Sequence, residues 1–277
     1  MGFRAGRLSE HETEQRMFDA ARDAVVRGGL TVSLEHISLE ELIREAGVSH
    51  NAVYRRWPER DLFLGDLVKE LARDAVPSID DQEIEAIERL IAERVDQLET
   101  PEDRDGLVAE LIREIALMHF EMLYQSTRWS TYLALNAACL SITDDETRSE
   151  VRFALAQSEQ AHIRAVAKVL EVLAGLVGYR LRPETAASFE TLATLNTAAL
   201  HGLITMAISD PTLATQCLQA APFWPNDGAE WSLPAMALAS NVSALLEPDP
   251  ETDWRAERAT ALREVVGGDQ EFGPHDV

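Results

Sequence analysis

The stretch SLEELIREAGVSHNAVYRRW, residues 38–57, sets two short apolar patterns on either side of a single glycine. Ser38 opens the first. In the order SLEE its hydroxyl is placed to accept the Glu41 amide while the Glu41 carboxylate reaches back, a helix-start signature. Leu39, Leu42, Ile43 and Ala46 then recur at three- and four-residue spacing, the mark of one buried helix face. Gly47 stops that helix and Val48 plugs the turn. Ser49 caps a second helix over about 50–56, with Ala52 and Val53 facing inward. His50, Asn51, Tyr54 and Arg55 are left to project outward. Two short helices joined by a capped, glycine-containing turn make a helix-turn-helix.

The flanks complete this unit. Glu10 to Arg27 reads as a helix with Met17, Phe18, Ala21 and Val25 on one face, ended by Gly28-Gly29. Residues 30–37 form a connection whose Val32, Leu34 and Ile37 point to the core. Pro58 suits the first turn of a fourth helix, which runs to about Arg73 with Leu62, Phe63, Leu67 and Leu71 inward. Pro77 closes the unit. Longer amphipathic stretches follow at about 81–98, 104–125, 128–142, 147–178, 183–209 and 232–246. No alternating, strand-like pattern persists, so the fold class expected is all-α. The domains expected are a helix-turn-helix domain over 1–75, a larger helical domain over 76–247 and an acidic, flexible tail over 248–277.

Charge narrows the function. The 277-residue chain has 25 Lys+Arg against 48 Asp+Glu, a net charge of −23. Most of that lies after residue 75. Within 44–60, however, Arg44, Arg55, Arg56 and Arg60 outnumber Glu45 and Glu59. A negative body repels nucleic acid at long range, so a DNA site has to be a local patch, and this is where one lies. A short helix of this kind fits the major groove with its N-terminal residues nearest the base edges. Asn51 is suited to a two-point contact with adenine, Arg55 to guanine, and His50 to a base acceptor or a phosphate. Tyr54 suits a sugar-phosphate contact, and Arg60 a phosphate at the start of the fourth helix. Ser38 and Ser49, at the two helix starts, complete the set of DNA-contacting candidates.

Residues 38–71 resemble the N-terminal domain of the TetR family of bacterial transcriptional regulators. Ala46-Gly47-Val48-Ser49, Tyr54, Trp57, Arg60 and Leu62 carry the resemblance, which covers roughly residues 10–75. It implies that Tyr54 and the cation at position 60 touch DNA phosphates and that Trp57 packs between helices. Arg60 replaces the family's common lysine, and the link from Gly29 to the Gly47 turn is a few residues longer than usual. The resemblance further implies a C-terminal domain that binds a small-molecule effector and pairs subunits through its last two main helices into a homodimer acting on a double-stranded DNA operator.

In the larger domain the apolar stripe Leu107, Leu111, Ile115, Met118, Met122 is accompanied by His119, and the next segments add Trp129, Tyr132, Asn136 and His162. A ligand cavity between helices wants apolar walls with few inward polar groups, so Met118, His119, Met122, Trp129, Tyr132, Asn136 and His162 are the effector candidates; ordinary core packing is the competing reading. Small residues over 183–209 and 232–246 suit close helix pairing. No phosphate loop, HExxH, GxSxG or paired CxxC occurs, and acid pairs such as Asp80-Asp81 and Asp144-Asp145 read as helix caps. The expectation is a non-enzyme with no cofactor and no metal. No span is expected to cross a membrane, and a cytoplasmic location is expected. A helical interaction protein that keeps the fold but not specific DNA binding is the alternative that the acidic body favours.

Overall fold

The computed structural model describes residues 8–28, 38–73, 87, 89–91, 93, 100–142, 144–221 and 228–252. The chain is all-α in class. Its principal helices are α1 (Glu10–Gly28), α2 (Leu39–Ala46), α3 (His50–Arg56), α4 (Arg60–Arg73), α5 (Pro101–Tyr124), α6 (Thr127–Ser141), α7 (Asp145–Leu176), α8 (Phe189–Ser209) and α9 (Leu233–Leu245). The 30–37 connection, the Asp80-Asp81 cap and almost all of the 81–98 stretch lie outside the described residues, as does the tail beyond residue 252.

Packing groups the chain into two compact units, Met1–Pro77 with Ser126–Ala161, and Ser78–Gln125 with His162–Val277. The core of the first unit is built from α1 to α4: Met17, Phe18, Ala21, Leu42, Ile43, Val53, Trp57, Phe63 and Leu67 are all buried together. The indole of Trp57 meets Phe63 edge-on at 5.1 Å and lies 5.8 Å from Phe18, a geometry that favours aromatic rings beyond simple burial. A second cluster joins Val68 and Ala72 of α4 to Leu135, Cys139, Val151 and Leu155. This cluster is why 126–161 groups with the N-terminal helices, although the sequence boundary was expected at residue 75. Leu62, expected inside, is 53% exposed; α4 turns Phe63, Leu67 and Val68 inward instead.

In the second unit α9 packs against both α5 and α8. Its main core holds Val108, Leu111, Ala174, Tyr179, Leu192, Val242 and Leu246. α5 begins with a full capping box, Thr100 with Asp103, and Pro101 in its first turn. Two short antiparallel ribbons were not anticipated: β1 (Tyr179–Leu181) with β4 (Leu246–Pro248), and β2 (Cys217–Ala220) with β3 (Ala229–Ser232). β4 and the bond from the Asp249 amide to the Gly178 carbonyl (2.9 Å) carry ordered backbone past the expected start of the tail at 248. The helix expected from residue 183 begins at Phe189, because Pro183–Thr185 form a 3-10 turn and Ser188, paired with Thr191, caps α8.

α8 departs from one further expectation. By length and composition it is apolar enough to cross a membrane, since Glu190 is the one charged side chain in it. Yet Leu192, Ala193, Asn196, Thr197, Leu200, Ile204 and Ala207 are buried in the core of the second unit, so one face of this helix is already used in packing.

Candidate functional site

The geometry of the helix-turn-helix follows from its caps. Ser38 precedes α2 with extended backbone and its Oγ accepts the Glu41 amide at 3.4 Å. Gly47 adopts φ 63°, in the left-handed region, and nothing lies within 4 Å of where a Cβ would stand; glycine is demanded here by backbone conformation, not by space. Ser49 then caps α3, its Oγ accepting the Ala52 amide at 3.2 Å. Val53 is fully buried and Ala52 half-buried, which fixes the roll of α3 about its axis. That roll leaves His50, Asn51, Tyr54 and Arg55 exposed along the opposite face. His50 and Tyr54, one turn apart, stack with ring centres 6.4 Å apart and planes at 17°.

Arg55 and Arg56 separate in role. Arg55 is exposed. Arg56 lies over the Trp57 ring at 5.2 Å and its Nη2 donates to Asp66 (3.1 Å) and Glu14 (3.3 Å). Asp66 also accepts from the Trp57 indole N–H (2.9 Å) and pairs with Lys69 (2.8 Å), which reaches Glu150 at 2.8 Å as well. Burial opposes the charge on Asp66, but the bonds from Lys69 and Trp57 and the charges of Lys69 and Arg56 outweigh it, holding its carboxyl below the usual range. Asp66 thus ties the C-terminal end of α3 to α4. Sequence reading missed it, because its position gives no periodic signal: it falls between inward residues of α4. Arg60 is half-buried at the first residue of α4, and Ser38 at the entrance to α2.

A separate feature lies wholly in the second unit: a cavity of about 170 Å³, walled chiefly by aliphatic side chains of α5, α7 and α8. Of the effector candidates, His119 and His162 line it. Tyr132 and Asn136 line an open groove in the first unit instead. There the Tyr132 hydroxyl donates to the Glu159 carboxylate (2.9 Å) and the Asn136 amide donates to the Tyr132 carbonyl (2.9 Å). Burial, and then the charge of Glu159, push the Tyr132 phenol well above its ordinary value. Trp129 is buried and stacks on Tyr132 at 5.0 Å, while Met118 and Met122 are half-buried on α5 and line neither space. The seven candidates therefore do not form one site. Thr197 and Asn196 of α8, not singled out from sequence, line the cavity; two adjacent polar residues inside an apolar helix were the available signal. His201, one turn beyond Thr197, stacks on His162 with ring centres 6.4 Å apart. Burial, then the neighbouring His162 and His119, depress its pKa from 6.5 to about 4.

No cluster of three His, Cys, Asp or Glu suited to a metal ion occurs among the described residues. Asp144 does act as a cap, accepting the Thr147 amide at 2.7 Å.

No protein-family model matches the chain, and no curated protein matches it. Solved structures similar to it include TetR-family regulators. A TetR-family transcriptional regulator from Agrobacterium tumefaciens is 19% identical, with 73% of this chain and 90% of that one covered at a TM-score of 0.37. SmeT, the repressor of the Stenotrophomonas maltophilia multidrug efflux pump SmeDEF, is 17% identical over 87% of this chain and 96% of its own, TM-score 0.36. TylP, a TetR regulator from Streptomyces fradiae, is 13% identical over 95% and 93%, TM-score 0.35. The TetR resemblance rests on the residues of the helix-turn-helix and on its caps, turn and buried Trp57.

Proposed function

We propose that this chain is a sequence-specific DNA-binding transcriptional regulator, a homodimeric repressor whose hold on its operator is released by a small molecule. One observation carries the reading: α3 buries Val53 and exposes His50, Asn51, Tyr54 and Arg55 together, the side-chain chemistry that major-groove contact requires. Asn51, Arg55 and His50 read base edges; Tyr54, Arg60 and the helix starts at Ser38 and Ser49 hold the backbone, since phosphate contacts position and base contacts specify. One seven-residue helix makes too few contacts for high affinity, whereas two on a two-fold axis read half-sites a DNA turn apart or a multiple of it. The exposed stripe Leu195, Gly202, Met206 on α8 supports a second copy as partner. The cavity of the second unit supports an effector that binds two conformers unequally. A coupling of about 1–3 kcal/mol, on the order of 5- to 150-fold in operator affinity, suffices for the switch. Such a protein works in the cytoplasm, with no enzymatic turnover of its ligand.

The test is a footprint on the DNA flanking the protein's own gene. Specific protection at a near-palindrome supports the regulator. Weak protection that disappears at modest salt, with no preferred sequence, supports the alternative of a helical interaction protein instead, a reading that the net charge of −23 favours.

A further inference from the structure

The cavity of the second unit is lined by the polar residues His119, His162, Thr197, Asn196 and Tyr179 among aliphatic ones, and the Asn196 carbonyl oxygen is taken by the Asn241 amide at 3.0 Å. On α5 the lining residues Val108, Leu111, Ile115 and His119 form one stripe, with the histidine last. On α7 the stripe His162, Val166, Val169, Leu173 has the histidine first. The imidazoles close together: His201 feels both His119 and His162, and Thr197 precedes His201 by one helical turn on α8. From His119 back to Val108 an α-helix advances about 16 Å, so the aliphatic part of the wall is the longer part. No Lys, Arg, Asp or Glu lines the cavity among the described residues. The Tyr179 hydroxyl, on the aliphatic side, is engaged by Asp105 at 2.7 Å.

A full charge placed in such walls finds no counter-ion among the described lining residues, and burying an uncompensated charge costs far more than burying a hydroxyl that finds a hydrogen bond. A cation meets a further obstacle, because the surroundings of His201 already resist a positive charge. Neutral imidazole offers one donor and one acceptor, and the threonine hydroxyl offers both. We propose that the cavity accepts an uncharged molecule with an extended apolar body and a single hydroxyl, carbonyl or amide end, the polar end held at His119, His162 and Thr197. This deepens the proposal that the cavity holds the effector, and rests on it for its regulatory meaning, but binding itself is measured without DNA.

Three eight-carbon probes that differ at one end decide the matter: 1-octanol, octanoate and octylammonium, titrated into the full chain at pH 7.5 by calorimetry. 1-Octanol is expected to bind at least about tenfold more tightly than either ion. Thr197→Val keeps the shape and removes the hydroxyl; it is expected to weaken 1-octanol about fivefold while leaving the affinity for butylbenzene, which has no polar end, unchanged. Circular dichroism of the variant checks that it is folded. If octylammonium or octanoate binds as well as 1-octanol, or if none of the three binds to the folded chain, the inference is overturned. If Thr197→Val weakens butylbenzene equally, the assigned polar end is wrong. If 1-octanol binds as expected but the footprint finds no operator, the ligand class stands and the regulator reading falls.

Discussion

Tyr54 and Asn51 stand one turn apart on α3, both exposed, and with the phosphate and base-edge roles proposed for them, removing each is expected to do something different. Tyr54→Phe deletes a phosphate contact, so binding weakens to a similar degree on every DNA sequence. Asn51→Ala deletes base readout, so preference relaxes at one base pair, at a cost of about 1–3 kcal/mol on the preferred sequence. Affinity measurements on an operator and its single-base variants separate the two; equal affinity for both variants and the parent contradicts the assignment of α3. His201 supplies a prediction about stability. Unfolded, it takes up a proton near pH 6.5; folded, only near pH 4. Between those values the unfolded chain binds the extra proton, so stability is full above the window and falls as pH drops through it. The contribution is on the order of 2–3 kcal/mol. Denaturant titrations at pH 7 and pH 4.5 are expected to show a smaller acid loss for His201→Gln than for the parent chain; an equal loss in both means that the imidazole is not held neutral.

At the scale of elements, what was legible in the sequence was local. The α2–turn–α3 unit could be read because Ser38, Gly47 and Ser49 each act on backbone within three or four residues of themselves. α4 was read less well: Leu62 was placed inside by type, but packing of Phe63, Leu67 and Val68 rolls it out to solvent. The ribbons were missed because strands of three or four residues show no period, and β1 finds its partner only at Leu246–Pro248. The apolar stripe of α5 is visible in the sequence, yet its last members Met118 and Met122 line neither space, and only the fold separates His119 and His162 from Tyr132 and Asn136. Asp66 is the element-scale prediction. Asp66→Asn keeps an acceptor for the Trp57 indole but loses the ion pairs with Arg56 and Lys69. If these hold the end of α3 against α4, operator affinity falls several-fold on all sequences while the melting temperature changes little, since partly exposed pairs contribute only about 0–1 kcal/mol each. Unchanged operator affinity in the folded variant removes Asp66 from the account.

For the whole molecule the governing tension is between a net charge of −23 and a polyanionic partner. Long-range repulsion weakens a lone helix-turn-helix as a DNA ligand, and the proposed pairing of two copies adds the contacts of a second α3. Gly202 offers a clean probe, because a Cβ there meets nothing within 4 Å in the chain itself. Gly202→Arg is therefore expected to leave the chain folded but to break a dimer seated on Leu195 and Met206, halving the mass seen by light scattering and lowering operator affinity with it. A dimer of unchanged mass places the partner surface elsewhere. The central claim, that α3 reads duplex sequence, is tested most directly by selecting bound duplexes from a random-sequence pool at physiological salt with the parent chain and with Asn51→Ala. The account predicts that the parent enriches an inverted repeat with half-sites one helical turn apart or a multiple of it, and that Asn51→Ala loses preference at one position in each half. Enrichment of no sequence by the parent, or the same logo from both proteins, contradicts it.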